Sequence, residues 1–164
     1  MERVISYIDG FNLYFGLRSK GWRRFYWLSW VDSTPRLVDG VLYVGSSDAQ
    51  RVRAYDPANG RERWQAWVGG WTWGTPLVVG DAVYYATAGG DGYFIPQHAS
   101  LGALDRRSGA ILWRLPLANT PGRWPSGIAS SLAYADGLVL AGALDGTLTA
   151  YRAPGPGAGE TPRR

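Results

Sequence analysis

Short apolar runs alternate with turn-forming residues over most of the chain. From about residue 33 onward, runs rich in Val, Leu, Tyr and Ala are bounded by Gly paired with Asp, Asn or Ser. Such runs are typical of β-strands joined by tight turns. The pattern therefore predicts a mainly β fold and excludes a helical bundle.

The predicted strands belong to a unit that recurs along the chain. One copy runs from Thr34 to Trp64, a second from Thr75 to Trp113, and a third begins at Ser130 and stops at Arg152. Self-similarity of this kind is the sequence signature of repeat architectures. Each copy predicts an antiparallel meander of three or four strands.

The turns occupy equivalent positions in the three copies. The first turn pairs Asp with Gly, and a later turn ends in Gly. These dipeptides tolerate the positive φ angles of tight hairpins. The predicted turns are Asp39-Gly40, Gly80-Asp81, Asp136-Gly137, Asn59-Gly60, Ser108-Gly109 and Asp145-Gly146.

The order of a strand, Asp-Gly, Val-Leu-Tyr-Val-Gly-Ser, Ala-Tyr-Asp, Asn-Gly and Trp within residues 29–153 resembles the repeat of pyrroloquinoline-quinone (PQQ)-type β-propellers. The resemblance implies an incomplete propeller of two to three antiparallel blades. It also implies that Trp64 and Trp113 dock adjacent blades, each with its indole N–H on a backbone acceptor. A ligand-stacking indole is the alternative at these two positions.

The resemblance implies more than one possible function. The family includes quinoprotein dehydrogenases, but also non-enzymatic scaffolds such as outer-membrane assembly lipoproteins and the sensor regions of bacterial kinases. PQQ with calcium is implied by the resemblance alone, since no residue of the chain identifies a cofactor. We expect a non-catalytic interaction module that is a fragment or fusion product. A fragment of a quinone-dependent dehydrogenase is the first alternative.

Residues 1–28 fall outside the repeat. Val4–Ile8 predicts a strand that ends at Asp9, and a short helical pattern follows. The segment RVISYIDGFNLYFGLRSKG resembles the first strand and helix of NYN-type ribonuclease domains, relatives of the PIN nucleases. The resemblance places Asp9 in an acidic magnesium site, supported by Asn12. It stops near Leu28, before the further carboxylates that such a site needs, so a truncated ribonuclease remnant is the second alternative.

An insertion, Gly89–Ser100, is the longest departure from the repeat. Long loops on propellers line one face and often carry binding. This segment therefore supplies the candidate ligand-contacting residues, with a solvated surface loop as the alternative. The candidates are Tyr93, Phe94, Gln97 and His98.

A dense aromatic cluster lies between the first and second copies, at Trp67, Trp71 and Trp73. A link between blades is expected to fill the space between them, so packing is the favoured interpretation. The alternative is a stacking floor for a planar ligand or a cation.

The chain of 164 residues carries a net charge of +4 that is unevenly distributed. Residues 1–28 contribute +3, residues 29–153 are neutral, and residues 154–164 add +1. The propeller-like part therefore has no electrostatic argument for a nucleic-acid partner. With no Cys and a single His, thiolate and multi-histidine metal sites are excluded.

The cellular location and the partners of the chain can be predicted from segments that the sequence lacks and from its small number of repeats. It shows no secretory stretch and no apolar run of membrane-spanning length, which predicts a cytoplasmic protein, although propeller relatives are often periplasmic. The Pro/Gly-rich residues 154–164 are predicted to be disordered. Two to three blades leave sheet faces and edges open, so we expect a protein partner or self-association through them.

Overall fold

The computed structural model describes residues 35–90, 94–118 and 125–153. Sheet 1 contains β1 (Arg36–Val38), β2 (Val41–Gly45), β3 (Arg51–Tyr55) and β4 (Glu62–Trp67). Sheet 2 contains β5 (Leu77–Val79), β6 (Ala82–Gly89), β7 (Ser100–Asp105) and β8 (Ile111–Pro116), and β9 (Ser126–Gly127) pairs with the end of β6. Sheet 3 contains β10 (Ala133–Ala135), β11 (Leu138–Gly142) and β12 (Leu148–Arg152).

Every sheet is an antiparallel meander, and each corresponds to one copy of the repeat. The prediction of a mainly β chain built from meanders of three or four strands is therefore confirmed. The described ranges contain no helix, and hence none long and apolar enough to cross a membrane. The strand and helix predicted for residues 1–28 lie outside them, as does the tail 154–164.

The predicted hairpin turns form where the sequence places them. Asp39 and Gly40 have φ angles of 47° and 69°, and Asp136 and Gly137 have 51° and 78°. Two successive residues with positive φ are characteristic of the type I′ turn, whose twist matches that of the flanking strands. The Asp-Gly pairs thereby fix the register of the first hairpin in sheets 1 and 3.

Sheet 2 lies between the other two sheets, and its strands β6 and β7 are buried on both faces. Along β6, Val83 and Tyr85 pack against sheet 1, whereas Tyr84 and Ala86 pack against sheet 3. Successive residues of a strand point to opposite faces, so burial on both sides makes the strand apolar throughout. This is why β6 is buried continuously from Val83 onward.

The first core lies between sheets 1 and 2. Tyr43, Val52 and Ala54 from sheet 1 meet Val83 and Leu104 from sheet 2. In β3 the buried positions alternate with half-buried ones, as expected for a strand with one face in a core. This alternation directs the apolar side chains of Val52 and Ala54 in β3 toward sheet 2.

The second core lies between sheets 2 and 3. Leu101 and Ala103 of β7 meet Val139 and Ala141 of β11, and Tyr151 packs at the margin of this core. Val139 pairs with Tyr151 across the two strands, so these side chains share the face of sheet 3 that contacts sheet 2. The opposite face of sheet 3 is exposed among the described residues, as Leu148 at 77% exposure shows.

The meanders give the molecule two distinct edges. We call the segments that follow β2, β4, β6, β8 and β11 the loop edge, and the hairpin turns at the other strand ends the turn edge. The loop edge comprises residues 46–50, 68–76, 94–99, 125–132 and 143–147. The turn edge comprises residues 39–40, 56–61, 80–81, 106–110 and 136–137.

Candidate functional site

The tryptophan cluster lies on the loop edge. Trp71 and Trp73 stack with their ring centroids 5.1 Å apart and their planes 8° from parallel. Their indole N–H groups donate to Asp48 Oδ1 at 3.0 Å and to Ser47 Oγ at 3.3 Å. Trp71 is buried, so these two rings tie the segment between sheets 1 and 2 to the loop after β2. The packing interpretation holds for this pair.

Trp67 has different surroundings from the other two tryptophans. Half of its surface is exposed, and the Arg114 guanidinium lies 5.5 Å from its ring centroid. Arg114 also donates to the Trp67 carbonyl at 3.0 Å and to the Tyr85 hydroxyl at 3.1 Å. A residue of this chain thus occupies the cation position above Trp67. Burial raises the pKa of Tyr85, and the Arg114 hydrogen bond partly offsets that rise.

The described residues that were predicted to contact a ligand differ in their burial. Phe94 is 80% exposed, whereas Gln97 is buried with no hydrogen-bond partner for its side-chain amide. His98 is exposed, and its backbone N–H donates to the Gly69 carbonyl at 2.7 Å. Tyr93 lies outside the described residues. In the described part of the insertion, Phe94 is therefore largely exposed, and the backbone of His98 anchors the segment to Gly69.

The two predicted docking tryptophans occupy matching places in sheets 1 and 2. Trp64 is buried in the first core, its ring centroid is 5.9 Å from that of Tyr43, and its indole N–H donates to the Arg106 carbonyl at 3.0 Å. Trp113 is half-buried against the second core, 6.1 Å from the ring of Tyr84. Each ring lies on the face of its sheet that contacts the next sheet along the chain.

A cleft on the turn edge, between sheets 1 and 2, was not predicted from the sequence. Its volume is about 320 Å³. We call it the arginine cleft. Its lining residues are Val41, Tyr43, Arg63, Trp64, Asp81, Arg106 and Arg107.

Arg106 fixes the geometry of the arginine cleft. Its guanidinium donates to Asp39 Oδ2 at 2.6 Å, to the Tyr43 hydroxyl at 3.1 Å and to the Gly80 carbonyl at 3.4 Å. The hydrogen bonds that Arg106 donates to Asp39 and Tyr43 raise its pKa. Because Asp39 and Tyr43 belong to sheet 1 and Arg106 to sheet 2, this one side chain holds the two sheets together at the turn edge.

The arginine cleft could be recognised in the sequence only by comparing copies of the repeat. Arg106 and Arg107 follow the Asp of the later turn, where the first copy has Pro57 and Ala58. The turn geometry therefore does not require basic residues there. Which groups meet in the cleft depends on how sheets 1 and 2 pack, and that is a tertiary property.

The described residues do not match the donor set of a calcium-quinone site. No three His, Cys, Asp or Glu side chains converge within ranges 35–90, 94–118 and 125–153, whereas a hard cation is held by several oxygen ligands. Several carboxylates accept hydrogen bonds within their own turns. Asp105, for example, accepts a hydrogen bond from the Ser108 hydroxyl, which lowers the pKa of its carboxyl. Asp9 and Asn12 lie outside the described residues.

A comparison with protein-family models gives a match that spans most of the chain. The model described as outer membrane protein assembly factor BamB matches residues 18–153. The match begins at residue 18, within the segment 1–28 for which the sequence suggested a nuclease domain, and extends through all three sheets. No curated protein matches the chain.

Solved structures share the fold of the described residues. BamB from Moraxella catarrhalis is 23% identical with a TM-score of 0.54, and the alignment covers 74% of this chain and 33% of that protein. For quinohemoprotein alcohol dehydrogenase from Comamonas testosteroni the identity is 21%, the TM-score 0.54, and the coverage 69% and 21%.

A third solved structure, the C-terminal domain of PilY1 from Pseudomonas aeruginosa, is 25% identical with a TM-score of 0.55. The alignment covers 73% of this chain and 29% of that domain. The chain therefore aligns with a third or less of the length of each of these three structures. The similarity identifies an incomplete set of propeller sheets.

Proposed function

The chain belongs to the family described as outer membrane protein assembly factor BamB, and we propose that it is a non-catalytic protein-interaction module built from PQQ-like propeller repeats. The partner binds the uncovered face of sheet 3. This partner is a further sheet of the same kind, in another copy of the chain or in a different protein.

The uncovered face of sheet 3 is equivalent in the repeat to one buried face of sheet 1 and one buried face of sheet 2, and this equivalence supports the proposal. Leu140 is the third residue after the first turn of its copy, as Tyr43 and Tyr84 are in theirs. Tyr43 packs against sheet 2 and Tyr84 packs against sheet 3. By this correspondence Leu140 and its neighbours form the face that a next sheet would cover.

The composition of the uncovered face fits that role. Leu140 pairs with Ala150, and Gly142 pairs with Leu148, so these residues share one side of sheet 3. Leu148 is 77% exposed, and the face carries no charge before Arg152. Contiguous exposed apolar surface of this kind marks interaction sites in soluble proteins. β12 is also an edge strand, which adds free backbone groups for pairing.

Light scattering coupled to size-exclusion chromatography over a range of protein concentrations tests this proposal. We expect the average mass of the wild-type chain to rise with concentration. Leu148→Glu should weaken that association, because a charge on the face opposes its burial. Leu112→Glu, at a leucine of 45% exposure on β8 of sheet 2, is the matched control. Capture of partner proteins on the immobilised wild type and on immobilised Leu148→Glu covers the case of a different protein. An average mass that stays constant with concentration, together with no protein captured preferentially by the wild type, contradicts the proposal.

The two enzymatic alternatives receive no support from the described residues. For a dehydrogenase fragment, the described ranges contain no group of three His, Cys, Asp or Glu side chains placed to hold calcium, and an absorbance change on adding the quinone with calcium would detect binding. The ribonuclease interpretation of residues 1–28 stays a prediction. Magnesium-dependent RNA cleavage that is lost in Asp9→Asn would establish it.

The cellular location also stays a prediction. The sequence predicts a cytoplasmic protein, whereas membership of a family described by an outer membrane assembly factor favours the cell envelope. Fractionation of cells that express the chain from its native gene distinguishes the two. Recovery with periplasmic markers would overturn the cytoplasmic prediction.

A further inference from the structure

The arginine cleft combines an apolar wall with a basic rim. Val41, Tyr43 and Trp64 line it from sheet 1, and all three are buried side chains of the first core. The volume of about 320 Å³ is at the lower end of the range for ligand pockets. It is sufficient for one or two amino-acid side chains.

Two arginines of the rim have weak partners within the molecule. Arg63 lies 3.9 Å from Asp56 and 3.5 Å from the Gly40 carbonyl, and Arg107 lies 3.9 Å from Asp81. The side chains of Arg63 and Arg107 are 47% and 86% exposed. Solvent-exposed ion pairs at such distances contribute little, so both guanidinium groups keep donors available for an added anion.

Arg106 has the opposite role in the same cleft. Its donors are already used on Asp39, Tyr43 and Gly80, and the carboxylate of Asp39 balances its charge. Arg106 therefore holds the walls in place. Arg63 approaches the cleft from sheet 1 and Arg107 from sheet 2, so a ligand that engages both would bridge the two sheets.

These basic positions are specific to the boundary between sheets 1 and 2. The second copy has Leu112 where the first has Arg63, and the first copy has Ala58 where the second has Arg107. The repeat itself therefore requires neither arginine. Their presence on one cleft is unexplained by the fold.

We propose that the arginine cleft binds an acidic segment of a partner protein, with a carboxylate on Arg63 and Arg107 and a neighbouring apolar side chain against Val41 and Trp64. Guanidinium groups form short, charge-assisted hydrogen bonds with carboxylates, and the aromatic wall accounts for the apolar neighbour. This inference rests on the proposed function as an interaction module and adds a partner class at a surface distinct from the uncovered face of sheet 3.

Calorimetric titration of the full chain with a defined peptide tests the inference. The probe is acetyl-Gly-Glu-Phe-Glu-Gly-amide, and the matched control probe replaces both Glu residues with Gln. We expect the acidic peptide to bind and the Gln peptide to bind on the order of tenfold more weakly, since charged hydrogen bonds are lost. Added salt should weaken the binding of the acidic peptide, because the pairs are exposed.

Matched variants separate the cleft from general electrostatic attraction. The double variant Arg63→Gln with Arg107→Gln should bind the acidic peptide on the order of tenfold more weakly. Arg61→Gln removes an exposed charge from the same turn edge without lining the cleft, and should bind as the wild type does. Asp81→Asn should bind more tightly, because Asp81 competes with the ligand for Arg107.

Each outcome of this experiment decides the inference. Equal binding of the two peptides, or equal loss in Arg61→Gln and in the double variant, overturns it. Benzoate that binds as tightly as the acidic peptide assigns the cleft to small organic acids instead and overturns the peptide assignment. The cleft is lined by residues of sheets 1 and 2 only, so Leu148→Glu on the exposed face of sheet 3 should leave peptide affinity unchanged. Failure at the cleft is thereby distinguishable from failure of the proposed association.

Discussion

At the scale of single residues, Arg106 connects sheets 1 and 2 more extensively than any other side chain of the turn edge described above. It bonds to a carboxylate and a phenol of sheet 1 and to a carbonyl of sheet 2, and its own carbonyl accepts the indole N–H of Trp64. Its side chain is 20% exposed, so these bonds are partly shielded from water. Substitution of Arg106 should therefore affect stability rather than surface charge alone.

We expect Arg106→Met to lower the free energy of unfolding by about 1–3 kcal/mol, because the buried Tyr43 hydroxyl loses its donor. Methionine retains an apolar stem but supplies no hydrogen-bond donor. Urea unfolding followed by tryptophan fluorescence measures the change. Arg107→Met is the control, since the Arg107 side chain is 86% exposed, and it should change the free energy by less than about 0.5 kcal/mol. Equal effects of the two substitutions would contradict the role given to Arg106.

At the scale of elements, the segment between β4 and β5 passes close to the insertion between β6 and β7. Trp71 N–H and C=O both bond to Ala88, and the Gly69 carbonyl accepts the backbone N–H of His98. A Cβ on Gly70 would lie 2.2 Å from the His98 carbonyl oxygen. Glycine is required at this position by the close approach of two backbones.

Gly70→Ala should therefore destabilise the chain, by about 1–3 kcal/mol, because two backbone segments must separate to admit the methyl group. Thermal unfolding followed by circular dichroism provides the measurement. Gly142→Ala is the matched control, since its nearest contact would be 3.4 Å from the Ser130 hydroxyl oxygen and sheet 3 is open on that side. A Gly70→Ala variant with the melting temperature of the wild type would show that the two segments are not packed as described.

At the scale of elements, the hairpins were predictable from the sequence because the formation of a tight turn is a local property. The Asp-Gly turns depend on φ angles that few residue types adopt, so local sequence suffices to locate the hairpins at Asp39-Gly40 and Asp136-Gly137. The burial of Gln97 beside the exposed Phe94 was not predictable in this way. It depends on contacts of the insertion with the segment after β4, and these residues are distant in sequence.

At the scale of the whole molecule, the three sheets differ in how many of their faces are covered. Sheet 2 has a core on either side, whereas sheet 3 packs through one face. In sheet 3, β12 alternates exposed and half-buried residues. Local stability follows the density of buried contacts, so the sheets should not open with equal ease.

We expect native-state amide hydrogen exchange to be slowest in β6 and β7 and faster in β11 and β12. The reason is that the first pair is buried from both sides and the second from one. Mass spectrometry of exchanged peptides gives the comparison, at a concentration low enough to keep the chain monomeric. Raising the concentration should then protect β12 if the proposed association occurs. Uniform exchange across sheets 2 and 3 would contradict the different coverage of the two sheets.

The sequence by itself determined the repeat, the β-strands and the turns, because the alternation of side chains and the positive φ angles are local properties that recur in each copy. Tertiary structure decided which faces are covered, that Trp64 and Arg106 meet at one cleft, and that Arg114 takes the cation position over Trp67. Those contacts join residues from different sheets, and the local sequence of neither sheet determines the distance between them. The candidate interaction surfaces are therefore products of packing, built on elements that the sequence predicts.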